Sequence, residues 1–279
     1  MGISRKIATA ALLIASAIWS DAFAPASFVR YSASTNCDHI EYSSASKTFL
    51  RASNPDSEGT PCEAPSDVEA VVLDDAGALR NALVTNIKGE RVALGDAMTS
   101  KTLSEKTFDT SVVVFLRHMG WPYCWTYANE WQKVQPQLEE NGILGPLFVS
   151  IGDQDKMKLF LEKNPAIDPQ SMFVDGYDFS AYKAVGFGNF QDTDPETAKQ
   201  VKMEAPDLGF GQWLGYFGAV GKLSPIPKDM KFGEIPEGVL RLGGTFVVKG
   251  DDILYQWSDR LPGDHPEISE VLSVAVAAS

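Results

Sequence analysis

Thr110–Leu116 reads TSVVVFL, seven residues without a charge, four of them β-branched. A stretch this apolar suits a central strand buried on both faces, and such a strand belongs to a layered α/β sheet with helices packed on either side. It runs directly into RHMGWPYCW, Arg117–Trp125, and then into a segment with helical spacing. There Trp125, Ala128, Trp131, Val134 and Leu138 recur between Cys124 and Asn141. Pro136 is expected to kink or interrupt that helix. Cys124 should therefore fall in the first turn of a helix after a buried strand. Unsatisfied backbone N–H groups and the positive end of the helix dipole favour a thiolate there.

The rest of the chain supplies partners for that strand. Strands are expected over Val68–Asp74 and Arg91–Ala97, flanking a turn at Lys88–Gly89, and over Gly145–Gly152 and Ser171–Asp175. Two more, Leu242–Val248 and Asp252–Ser258, are joined by a KGDD turn. Helices are expected over Lys156–Asn164, over Phe179–Phe187 with Gly186 ending it, and at the C-terminal tail. In the tail, Asp264 or His265 reads as the N-cap and Pro266 as the first helical residue. Residues 191–203 form a polar, helix-prone insertion. The next stretch, Gly209–Gly221 (GFGQWLGYFGAVG), follows no clear strand and carries no Lys-Ser/Thr, so it lacks the logic of a phosphate loop. Its Phe210, Trp213, Tyr216 and Phe217 read as core or as an apolar contact surface.

A net charge of −13 argues against nucleic acid and against anionic membrane surfaces, which require clustered Lys and Arg. Three cysteines, Cys37, Cys62 and Cys124, do not make a disulfide scaffold, and no C-x-x-C occurs. The three histidines show no zinc-ligand spacing, so no metal and no other cofactor is expected.

The element order β-β-β-α-β-α-β-α-β-β-α is that of an α/β, thioredoxin-like single domain with a central mixed sheet flanked by helices, spanning residues 66–279. Three stretches sharpen this: VVVFLRHMGWPYCWTYANEW, then FVDGYDFSAYKAVGF, then LGGTFVV with ILYQWSDRLPGDHPEISEVL. In that order they resemble the peroxiredoxin-like AhpC/TSA group, and within it the peroxiredoxin-like 2 proteins. In many members the motif reads G-C-x-x-C. Gly120, Pro122 and Cys124 match, and Trp121 stands where the first cysteine would be. The resemblance implies a thiol oxidoreductase with Cys124 as the peroxide-attacking residue and a thiol such as glutathione or thioredoxin as reductant. Arg117, His118 and Trp121 are candidate supporting residues, although strand alternation lets at most one of Arg117 and His118 face the thiol. Cys62 is the candidate resolving thiol. The aromatic neighbours Trp121, Tyr123, Trp125 and Tyr127 weigh against reactivity, because crowding of this kind raises a thiol's pKa.

Residues 1–22 have the basic, apolar and small-residue regions of a signal peptide, with an apolar run too short for a comfortable membrane span. Residues 23–65 are rich in Ser, Ala and Thr, without steady periodicity, and read as a transit peptide or disordered leader. The junction SDAFAPASF, with Phe23 after the cut, resembles the bipartite plastid-targeting leaders of diatoms and related algae. That implies a chloroplast location, in the stroma, with no transmembrane segment in the mature domain. Two functions follow as expectations: a one-cysteine thiol oxidoreductase of the plastid, or an inactive thioredoxin-fold subunit bound to a plastid (photosynthetic) complex through residues 209–221.

Overall fold

The computed structural model describes residues 73–99, 108–193, 208–225 and 235–279. The elements, in chain order, are α1 (Gly77–Asn81), β1 (Leu83–Thr85), β2 (Arg91–Ala93), α2 (Leu94–Thr99), β3 (Thr110–His118) and α3 (Pro122–Glu140). They continue with β4 (Ile143–Ile151), α4 (Gln154–Lys163), β5 (Met172–Asp175), α5 (Ser180–Ala184), α6 (Phe210–Leu223) and α7 (Glu237–Leu240). The chain closes with β6 (Gly244–Lys249), β7 (Asp252–Ser258) and α8 (Ile268–Ala278). Seven strands form one sheet in the order β2-β1-β5-β4-β3-β6-β7.

β3, β4 and β5 are parallel, while β6 runs antiparallel to β3, β7 to β6, β1 to β5 and β2 to β1. A β3–α3–β4 crossover followed by the β6–β7 hairpin and α8, with strand order β4-β3-β6-β7, is the thioredoxin topology. Every residue of β3 is buried. Val112, Val114 and Leu116 pack on one face with Trp125, Trp131 and Phe160, and Val113 and Phe115 pack on the other with Leu79, Tyr182 and Phe187. This alternation is the period-two geometry of a strand with helices over both faces.

The structure departs from the sequence expectations at several points. Arg91–Ala97 is not one strand: it breaks after Ala93 into α2, whose Leu94 and Met98 are buried four apart, as a helix face requires. The strand partnering β2 is Leu83–Thr85. Most of the expected Val68–Asp74 strand lies outside the described residues, and Leu73 and Asp74 are not in a strand. α3 runs unbroken past Pro136, because burial of Trp125, Ala128, Trp131 and Leu138 outweighs the hydrogen bond that proline cannot make. Phe210–Leu223 is a helix, α6, despite its glycines, an element absent from the order expected from the sequence. Most of the 191–203 insertion and all of the leader lie outside the described residues. No helix among the described residues is long and apolar enough to cross a membrane.

Candidate active site

The site is built where β3 gives way to α3. Trp121 N–H donates to the His118 carbonyl at 3.0 Å, which closes the turn. Trp121 is then the extended residue before the helix, with φ −99° and ψ 124°, and Pro122 is the first helical residue, where its missing N–H costs nothing. Cys124 is the third residue of α3, in the turn whose N–H groups lack intrahelical acceptors.

Between Phe115 and His118, β3 carries one residue more than β4, which pairs Val149 with Phe115 and Ile151 with His118. The bulge breaks the alternation at the strand end and re-aims the last side chains. Arg117 is 2 % exposed. Its Nε donates to the Arg241 carbonyl at 3.1 Å, one Nη donates to the Val239 carbonyl, and the guanidinium carbon lies 4.9 Å from the Trp121 ring centroid. Its other Nη, Nη1, has no hydrogen-bond partner among the described residues. Burial lowers its pKa to about 10, against the opposing pull of Cys124, Asp259 and Tyr182, so it stays cationic at neutral pH. His118 is also buried, with neither ring nitrogen partnered among the described residues. Burial first, then the charges of Arg117 and Lys156, push its pKa well below the usual histidine range, so it is neutral. Of the two, Arg117 is the one that acts on the thiol.

Cys124 has no exposed surface and is the free thiol among the described residues. Burial pushes its pKa up to about 12. The Arg117 charge and the backbone N–H groups of Arg117 and Cys124 oppose that shift, while the Asp259 carboxylate adds to it. The covering layer is α6, packed over the 118–121 turn. Tyr216 donates its hydroxyl hydrogen to the Gly120 carbonyl at 3.1 Å, and its ring meets Trp125 edge-on at 5.4 Å. A Cβ on Gly120 would meet Ser224 Oγ at 2.6 Å and its backbone N at 2.8 Å, so only glycine permits this approach. Lys156 Nζ on α4 holds the far end of α6 by donating to the carbonyls of Lys222 (2.8 Å) and Ser224 (2.7 Å).

Solved structures similar to this chain are thioredoxin-fold peroxiredoxins. Peroxiredoxin Q of Xanthomonas campestris is 12% identical, with a TM-score of 0.40, 74% of this chain and 94% of that chain being covered. Peroxidoxin BcpB of Mycobacterium tuberculosis is 14% identical, with a TM-score of 0.43 and coverages of 71% and 92%. A peroxiredoxin-like protein of Aquifex aeolicus is 13% identical, with a TM-score of 0.37 and coverages of 71% and 82%. No family model matches the sequence, and no curated protein does.

The second motif, the segment after β7, folds onto the first. Gly263, at φ 95°, lies so that a Cβ would be 3.2 Å from the Tyr123 ring. Asp264 and His265 do not cap the tail helix, which begins at Ile268 after Glu267. Asp264 instead accepts from Arg260 Nε at 2.7 Å, from Arg260 Nη2 at 2.9 Å and from its backbone N–H at 3.0 Å. His265 turns inward, stacks on Tyr127 at 4.2 Å between centroids, and places Nδ1 3.4 Å from Asp259 Oδ2. The Asp259 side chain is fully buried. A helix-capping reading of GDHP missed this pair, since Asp259 precedes the motif and shows no sequence signal of its own.

Among the described residues, no group of three or more His, Cys, Asp or Glu is placed to hold a metal ion. Cys62 lies outside the described residues. The stretch 209–221 is two-faced: Tyr216 and Ala219 are buried, whereas Phe210, Leu214 and Phe217 are 86%, 68% and 64% exposed.

Proposed function

We propose that this chain is a one-cysteine, peroxiredoxin-like thiol oxidoreductase of the plastid stroma that reduces peroxides or related oxidised substrates through Cys124. The observation that carries the reading is the placement of that thiol in the first turn of α3, at the end of the central strand, with the Arg117 guanidinium acting on it. The thiolate attacks one peroxide oxygen, the O–O bond breaks, and the departing oxygen leaves as water or an alcohol once protonated. Cys124 is left as a sulfenic acid. A thiol reductant condenses with it, releasing water, and a second thiol restores Cys124. Trp121 cannot serve as the resolving partner. Cys62 is the candidate within the chain, with glutathione or thioredoxin as the external reductant.

In the covered arrangement the thiol is neutral and unreachable. The largest cause of its raised pKa is burial, and the Arg117 charge and the backbone N–H groups of Arg117 and Cys124 remain when water reaches it. Displacing α6 from the 118–121 turn therefore both opens the site and favours the thiolate. The plastid location is supported by the junction at Ser20–Pro25. A fluorescent protein carrying residues 1–65 should enter the plastid, and its secretion would overturn that part.

One observation favours a second reading. The sealed thiol, together with the exposed Phe210, Leu214 and Phe217, fits an inactive thioredoxin-fold subunit that docks on a plastid (photosynthetic) complex through α6. Treating the protein with hydrogen peroxide and trapping sulfenic acid with dimedone separates the two. Adduct on Cys124, absent in Cys124→Ser and prevented when a thiol reductant is added after the peroxide and before the dimedone, is the expected result. No adduct over hours at millimolar peroxide favours the docking subunit.

A further inference from the structure

Among the buried polar atoms left without a hydrogen bond among the described residues are Arg117 Nη1, Asp259 Oδ1 and His265 Nε2, while Asp259 Oδ2 has only the 3.4 Å approach of His265 Nδ1. Buried charged groups are ordinarily saturated with hydrogen bonds, and a cation and an anion left open in one region call for an explanation. Asp259 is brought there by the backbone. Its N–H donates to the Gly243 carbonyl at 3.0 Å. Gly243 abuts β3 so closely that a Cβ would lie 2.1 Å from the Phe115 carbonyl, two residues before Arg117. On the other side, His265 is stacked on Tyr127, one helical turn beyond Cys124, with Nδ1 facing Asp259.

The region thus holds the cation of Arg117 and two groups that become anions on ionisation, Asp259 and Cys124. No ion pair within 4 Å joins Asp259 to Arg117, yet each feels the other's charge. We propose that Asp259 and Cys124 compete for the buried guanidinium of Arg117, which makes Asp259 a positioning residue that decides how much of that cation is available to the thiol. His265 holds the Asp259 carboxylate in place from the side away from β3.

The titratable and charged groups facing Asp259 are His265, Asp264 and Arg260 from the segment after β7, Arg117 from β3, Cys124 and Tyr127 from α3, and Tyr182 from α5. Those facing Cys124 are Arg117, Asp259, Tyr182 from α5 and Tyr216 from α6. The two tyrosines are pushed up by burial and are neutral at neutral pH. The inference rests on Cys124 being the working thiol.

The test reads ionisation rather than turnover. Thiolate absorbance at 240 nm is followed against pH in the full chain, with Cys124→Ser as the baseline that cancels Cys37 and Cys62. Asp259→Asn should lower the midpoint by about one unit or more, which is roughly tenfold more thiolate at any pH below both midpoints. Asp259→Glu, which keeps the charge, should stay near the parent. A cooperatively folded Asp259→Asn whose midpoint matches the parent overturns the inference.

A second reading needs no substitution. Two equivalents of hydrogen peroxide convert the thiol to a sulfinic acid, with two waters released, and its ionised form is a fixed anion at position 124. The Asp259 carboxyl 13C resonance should then titrate at higher pH than in the reduced protein, and an unchanged midpoint overturns the inference. A shifted midpoint without peroxide turnover would sink the oxidoreductase reading alone. Turnover with no shift would sink this one alone.

Discussion

Trp121 lies over Arg117, with the guanidinium carbon 4.9 Å from the centroid of its ring. It also stacks on Tyr123 at 5.7 Å. The residue standing where a second thiol would be expected is therefore part of the wall that dries the Arg117–Cys124 region. A cation–π contact of this kind is worth about 0.5–2 kcal/mol, more where water is excluded.

Trp121→Ala should open that wall. Cys124 should react with iodoacetamide at pH 7.5 at least about tenfold faster than in the parent, because both hydration and access favour the thiolate. Mass-spectrometric timing of the modification checks this, and a parent-like rate would show that Trp121 does not cover the thiol.

Replacing Tyr216 by Phe removes the hydrogen bond to the Gly120 carbonyl while keeping the edge-on contact with Trp125. The expected cost is about 0.5–1.5 kcal/mol in urea unfolding, with faster modification of Cys124 from looser seating of α6. Gly120→Ala should act in the same direction, since its Cβ meets the backbone of Ser224.

The raised thiol pKa makes a pH prediction with a definite sign. Unfolded, Cys124 ionises near pH 9; folded, it holds its proton to about pH 12. Between those values the native state binds the extra proton, so stability falls as pH rises through that window and is unaffected below it. Parent minus Cys124→Ser unfolding free energies, measured at pH 8, 9 and 10 under reducing conditions, should be flat to about pH 9. They should then fall by roughly 1.4 kcal/mol per unit. A flat difference through pH 10 would mean the thiol is not buried as described.

Gly243→Ala should be among the most damaging single substitutions outside the thiol region. The new Cβ would meet the Phe115 carbonyl at 2.1 Å and crowd Asp259 Oδ2 at 3.3 Å, with neither backbone free to yield. A loss of about 1–3 kcal/mol is expected for overpacking of this kind, read as a lower midpoint in urea. It should come with a shifted Cys124 midpoint, because Asp259 hangs from the same residue.

The sequence alone determined the central strand, the helix after it and the position of Cys124 between them. Those follow from local rules: a charge-free β-branched run buries both faces, and apolar residues three or four apart make a helix. It also determined the hairpin of β6 and β7 and the sheet around β3, because each strand carries its own pattern. It misread elements where local preference and packing disagree. Pro136 fails to interrupt α3, glycine-rich 209–221 becomes a helix, and Arg91–Ala97 divides between strand and helix.

What only the tertiary structure decided is the ionisation state of the site. Cys124 is dried by α6, a helix that begins 86 residues later. It is opposed by Asp259, more distant still and held by His265, whose neighbour Asp264 serves Arg260 rather than the tail helix. A thiol's pKa depends on what removes its water and which charges remain within reach. Those neighbours are set by the closing of the sheet rather than by spacing along the chain.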